Sequence, residues 1–121
     1  AAALHARKIA FEVLRWGDVA AARTLAARTR PDLVVGTDVG YDPSSHQDLA
    51  RTLRALAEPT GARVVLVEQR RWTDVLAWLR EVMLDEGFVE EEAGEEGPDD
   101  DDHRDSSLWL PYGDLVAPPG E

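Results

Sequence analysis

Two runs, "DLVVGTDV" at 32–39 and "ARVVLVEQ" at 62–69, are nearly unbroken in apolar and β-branched residues, and each leads into a stretch of helical periodicity. Runs this short and this continuous suit strands buried on both faces rather than helices. Behind the first, Leu49, Leu53 and Leu56 recur at i, i+4 and i+7, and Pro59 and Gly61 close the helix. Ser45 and Asp48 stand at capping-box spacing before it, with Asp in place of the usual Glu. Behind the second, Trp72, Val75, Leu76, Leu79, Val82 and Met83 share a helical face; Thr73 can cap that helix and Gly87 stops it. Strands alternating with helices require a parallel sheet with right-handed crossovers and helical cover on both faces.

The flanks extend this order. Ile9, Phe11 and Val13 alternate with polar or small neighbours, the pattern of a half-buried strand. Gly17 and Asp18 break it. Asp18 is placed to cap an alanine-rich helix that Pro31 ends. Downstream, "FVEEE" reads as a short strand and "SSLWLPYGDLV" as a last one, where Pro111 marks either a sheet edge or the strand's end. No helix separates these two, so they are expected to run antiparallel.

Charge is concentrated rather than spread. The net charge of the 121 residues is −11, and Asp85 to Asp105 alone contains twelve acids against Arg104. The rest is balanced and shows no clustered basic face, so nucleic acid is not an expected partner. The acidic stretch reads as a solvated insertion, or as a surface that steers a basic partner. There is no cysteine, which excludes disulfides and thiolate metal sites and fits a reducing compartment, cytoplasmic or nuclear. No apolar run approaches the roughly 20 residues of a membrane span.

In such sheets ligands gather at the carboxyl ends of strands. These ends are 15–18, 36–41 and 68–72. Gly36 and Gly40 lack the spacing of a phosphate loop, and Asp38 and Asp42 would repel a phosphate; a structural role, letting strand and helix approach, is the plainer reading. Asp38 and Tyr41 offer a carboxylate and a phenol that could orient a lysine ammonium, where orientation and desolvation supply much of the rate of methyl transfer. Trp16 could lie against a purine or pack as a core aromatic beside a turn. His5, His46 and His103 have no metal-ligand spacing, and His46 reads as an exposed first-turn residue. "DDDDH" at 99–103 lacks the glycine pattern of a Ca²⁺ loop. Arg70 and Arg71 could face an anionic or peptide substrate, or pair with Glu68 or Asp74.

Taken together, "VLRWGD", "PDLVVGTDVGYDP", "HQDLARTLRALA", "ARVVLVEQR" and "WLREVMLDEGFVEEE" resemble the C-terminal half of the seven-β-strand S-adenosylmethionine-dependent methyltransferases, in their methyltransferase-like protein-lysine branch. The resemblance runs from Ala1 to Phe88 and more faintly to Leu115. Trp16-Gly17 matches the family's post-strand Trp-Gly, and Asp38 to Tyr41 its Asp-x-x-Tyr. It implies an α/β fold, an incomplete Rossmann-like class I methyltransferase sheet from the third strand onward, with helices on both faces. It also implies that Trp16 contacts the adenine of S-adenosylmethionine, that Thr37 lines the cofactor pocket through its backbone, and that Asp38 and Tyr41 border the transfer centre and the lysine channel of a protein substrate. No metal is implied. The partial domain would comprise 1–92 and 106–117, around an acidic disordered insertion at 93–105, with 118–121 frayed.

Two departures stand out. Thr37 and Gly40 replace a small apolar and an aliphatic residue, and Gly40 is expected to loosen the motif around Tyr41. The family's glycine-rich loop and ribose-gripping acid have no counterpart here. They are expected upstream of Ala1, leaving this chain inactive alone and the Ile9–Val13 strand without its usual neighbours. The alternative is a noncatalytic interaction module that uses an open sheet edge and the acidic loop.

Overall fold

A computed structural model describes residues 9–69, 73–91 and 104–111. The order is helix α1 (Val19–Thr29), strand β1 (Leu33–Thr37), a 3₁₀ turn (Pro43–Ser45), α2 (His46–Ala57), β2 (Arg63–Gln69), α3 (Thr73–Asp85), β3 (Val89–Glu91) and β4 (Arg104–Leu110). The strands form one mixed sheet in the order β1-β2-β4-β3. β1 and β2 are parallel, with Val34 opposite Val64 and Gly36 opposite Leu66. β4 runs antiparallel to both β2 and β3, so the expected antiparallel final pair is present. Pro111 follows directly on β4, a central strand, and so marks its end rather than an edge.

Local signals place the helix ends. The Asp18 side chain accepts from the Ala21 N–H at 3.1 Å to cap α1. The same helix closes on Arg30, whose backbone is left-handed (φ 49°) and whose N–H reaches the Ala26 carbonyl, just before Pro31. α3 closes with the Phe88 N–H on the Met83 carbonyl at 3.1 Å. The capping box expected at Ser45 does not form. Asp42 instead caps the 3₁₀ turn by accepting from the Ser44 N–H and hydroxyl, and the Ser45 hydroxyl donates to the Asp42 carbonyl. The Ser45 hydroxyl, turned back onto the Asp42 carbonyl, is thereby directed away from the N-terminus of α2.

The core joins Leu49, Ala50, Leu53 and Ala57 of α2 to Val64 and Leu66 of β2, Leu79 and Met83 of α3, Phe88, and Trp109 of β4. Phe88 and Trp109 meet edge to face at 6.4 Å. α1 lies outside α2, against which its Ala22 and Ala26 are fully buried. Leu56, assigned to the apolar face of α2, is only half-buried.

Two expectations differ from the structure. Residues 9–15 form no strand; Ile9, Phe11 and Val13 are 83%, 90% and 90% exposed. Alternation alone does not make a strand, because ladder pairing is also required, and residues 9–15 do not pair with β1, which stands at the edge of the sheet; Glu12 meets Arg28 on the surface at 2.7 Å. The helices also fail to cover both faces: α2 and α3 pack on the face carrying Val34, Val64, Leu66 and Trp109. The other face leaves Leu33 and Val35 more than half exposed. Right-handed crossovers that advance in one direction across a sheet deposit every helix on one side. Cover for the second face needs a reversal of winding, and among the described residues there is none. Among the described residues no helix is long and apolar enough to cross a membrane. Most of the acidic stretch, and with it "DDDDH", Arg70 and Arg71, lies outside the described residues.

Candidate functional site

The parallel strands β1 and β2 end side by side, and the loop 38–42 leaves the sheet there. Its first residue, Asp38, donates its N–H to the Val67 carbonyl at 2.8 Å, the last rung between the two strands. Asp38 then takes a left-handed backbone (φ 56°), which Asp tolerates better than most residues. That turn sends the next two N–H groups inward, where Glu68 receives both: Val39 donates to Oε2 at 3.2 Å and Gly40 to Oε1 at 3.1 Å. Successive backbone N–H groups in such a turn form a concavity suited to an anion.

The same residue, Gly40, is held from its other end. His46 Nε2 lies 2.8 Å from the Gly40 carbonyl. A carbonyl can only accept, so Nε2 carries the proton. His46 is 2% exposed, not the surface residue its position suggested. Its ring lies on the helical face of Leu49, Ala50 and Leu53, which carries it under the loop.

Gly40 is buried, and a Cβ placed on it would stand 2.6 Å from Leu79 Cδ2. The expectation that Gly40 loosens the motif is therefore reversed. Lacking a side chain, the backbone closes onto α3 and onto the Glu68 carboxylate, and the loop is gripped on both sides of one residue, Gly40. Val39 packs on the core beneath it.

Glu68 is 3% exposed. Burial is the main influence on its acidity and pushes its pKa above the ordinary 4.5; nearby Asp38 adds to this, while the two backbone N–H groups and His46 oppose it. Neither Glu68 nor His46 had been assigned to the site from sequence, and Glu68 faces the loop rather than serving only as a partner for Arg70 or Arg71. Around it, Leu76, Leu79, Arg80, Ser106, Ser107 and Trp109 line a small cleft. Arg80 is directed to Glu90, with bonds of 2.8 and 2.9 Å.

The expected site residues fall as follows. Asp38, half-buried, and Tyr41, 63% exposed, flank the clamped Val39–Gly40 pair. Thr37 ends β1 with an exposed side chain. Trp16 is 40% exposed and precedes Gly17, whose φ of 99° favours glycine. The Gly17 N–H donates to Thr52 Oγ1 at 2.7 Å, and a Cβ there would stand 3.0 Å from the Asp48 carboxylate. The Trp16–Gly17 turn thus docks on the first two turns of α2, the helix whose first residue, His46, grips the loop. Both features border the N-terminal half of α2, at the carboxyl end of β1. Among the described residues no group of three His, Cys, Asp or Glu side chains could hold a metal ion.

Comparison with known proteins yields one family. No curated protein matches the chain. The family model described as lysine methyltransferase matches residues 1–84, which include Trp16, the loop 38–42, His46 and Glu68. An α/β sheet of this order and a polar loop at its carboxyl end accord with that match, and the chain belongs to the lysine methyltransferase family.

Proposed function

We propose that this chain supplies the amine-side half of an S-adenosylmethionine-dependent protein-lysine N-methyltransferase site. The observation that carries this reading is the loop at the end of β1: its backbone is fixed between Glu68 and His46, and Asp38 and Tyr41 stand on either side of the fixed peptide. A transfer that depends on aligning an amine lone pair gains most from groups held in place before the substrate arrives.

The residues present fit one edge of the cofactor. Trp16 is 40% exposed, which leaves its indole able to lie against adenine, and Thr37 is exposed at a strand end. Bound there, S-adenosylmethionine supplies its methyl group as a sulfonium electrophile. The chain's own residues act on the lysine. The Asp38 carboxylate draws the ammonium into the loop. The Tyr41 phenol orients the nitrogen by hydrogen bonding, and the ammonium proton passes to the Asp38 carboxylate, freeing the lone pair that attacks the methyl carbon. On this reading the ribose and the methionine end are held by groups other than those named here, and this chain alone is inactive.

Titration calorimetry tests the reading. S-adenosylmethionine is added to this chain and to a form extended upstream, and both are assayed for transfer of labelled methyl to lysine peptides. Binding and transfer by the extended form alone is the expected result; no binding by either removes the cofactor from the proposal.

A second reading is favoured by the open edge of β1 and the exposed Leu33 and Val35. It makes the chain a noncatalytic interaction module, its acidic stretch facing a basic partner. A salt-sensitive complex that survives Asp38→Ala would favour it.

A further inference from the structure

We propose that Glu68 is a positioning residue of this site, setting where Asp38 and Tyr41 stand by holding the backbone between them, with His46 as its counterpart. The functional half of the inference rests on the methyltransferase reading above; the structural half does not.

A carboxylate as buried as Glu68 is unfavourable unless its oxygens are satisfied. An aliphatic residue at this point of β2 would continue the core of Val64 and Leu66 without that penalty. What the carboxylate adds is directional. Its two oxygens take the N–H groups of two consecutive residues, 3.2 and 3.1 Å away, so the peptide between them can neither rotate nor slide along the helix. His46 fixes the carbonyl of the next peptide at 2.8 Å. Leu79 lies so close to Gly40 that the loop cannot settle further inward. Asp38 is already tied to Val67 through its own N–H, so every residue from 38 to 40 has a fixed backbone, and the Cα of Tyr41 follows. A displacement of about 1 Å in a positioning element can lower turnover about 100-fold.

The ionised form is the one that works. Each oxygen must accept, and a protonated carboxyl would turn one of them into a donor facing an N–H. The charged groups facing Glu68 are Asp38 from the loop and His46 from α2, with Arg80 of α3 lining the same cleft and directed to Glu90. On β4, Ser106 and Ser107 of the cleft carry no charge, and Asp105 stands opposite Glu68 in the β2–β4 register. Acidification should therefore release the loop through Glu68 before the fold itself is lost.

The test uses this chain labelled with ¹⁵N, followed by two-dimensional NMR from pH 4 to 8. In the wild type, the Val39 and Gly40 amide signals should move together through one transition lying above that of an ordinary glutamate. Asp38→Asn should retain that transition and Glu68→Gln should abolish it. Glu68→Gln should also raise the fast-timescale mobility of Tyr41 while the β1–β2 amides keep their positions. Amides that do not titrate in the wild type, or a Tyr41 unaffected by Glu68→Gln, overturn the proposal; the wild-type titration decides the matter even if the variant does not fold. Where methyl transfer to lysine peptides is measurable, Glu68→Gln should lower kcat 10- to 100-fold and leave the KM for S-adenosylmethionine within about twofold. A loss confined to KM overturns the positioning role. Absence of transfer by the wild-type chain, alone and extended, refutes the methyltransferase reading and leaves Glu68 to be judged by the NMR result.

Discussion

Replacing Gly40 with alanine adds one methyl group, and the structure says where it goes: 2.6 Å from Leu79 Cδ2, with the Glu68 carboxylate 3.5 Å away. Neither direction yields freely. Leu79 is 4% exposed and belongs to the same core cluster as Leu66, Met83 and Trp109, so its rotation displaces packed neighbours. Overpacking of this kind costs about 1–3 kcal/mol. Gly40 does not have a left-handed backbone, so alanine meets no conformational penalty there, and the stiffer unfolded chain returns about 0.4–1 kcal/mol. The net expectation is a loss of about 1–2 kcal/mol. Leu79→Ala alone should cost about 2–5 kcal/mol through the space it opens. Combined, the two should lose clearly less than their sum, because the new methyl group occupies part of that space; a coupling of about 1 kcal/mol or more is expected. Urea unfolding of the four proteins measures the cycle. Additive effects, or a Gly40→Ala protein as stable as the wild type, would show that the loop does not press on α3 as described.

His46→Ala should cost about 2–3 kcal/mol, since it leaves the Gly40 carbonyl unsatisfied in a buried site and opens a cavity beside Leu49; the urea midpoint checks it. Tyr41→Phe should change stability by less than about 0.5 kcal/mol because the side chain is mostly exposed, while methyl transfer by an active form should fall at least tenfold. The raised pKa of Glu68 fixes the sign of a pH effect. Its contribution to stability is fully present below the ordinary value of 4.5 and is lost as pH rises through the higher folded-state value. The stability of the wild type relative to Glu68→Gln should therefore decline with rising pH across that window, measured by urea unfolding at several pH values; a difference that grows instead would contradict the burial of Glu68.

Much of the fold was legible in the sequence because strands, caps and stops are local. The Val-Val runs of β1 and β2, the Asp18 cap, the Gly87 stop and the antiparallel final pair depend on neighbours within a few residues. The alternation of Ile9, Phe11 and Val13 is equally local, but a strand also needs a partner, and alternation carries no information about one. Helical cover of both faces failed for a related reason, since the side on which a helix lands depends on the direction in which strands are added. At the site, Asp38 and Tyr41 stood out as polar groups at a strand end. Glu68 and His46 were passed over because charged and imidazole side chains are mostly found at the surface. A usable signal existed for both. Glu68 falls two and four residues after the core positions Leu66 and Val64, and His46 falls three, four and seven before Leu49, Ala50 and Leu53. Period and helical spacing assign each to the inner face, against the preference of its residue type.

The one-sided sheet has a consequence for handling the protein. Leu33 and Val35 give the molecule an unwettable flank beside a strand edge with open hydrogen-bonding groups, while a net charge of −11 keeps copies apart near neutral pH. Acidification toward the isoelectric point, or a strongly hydrated salt such as sulfate, removes that mutual repulsion or strengthens the attraction between flanks. Clouding should then begin well before the helices melt, and turbidity followed beside circular dichroism during an acid titration would separate the two events.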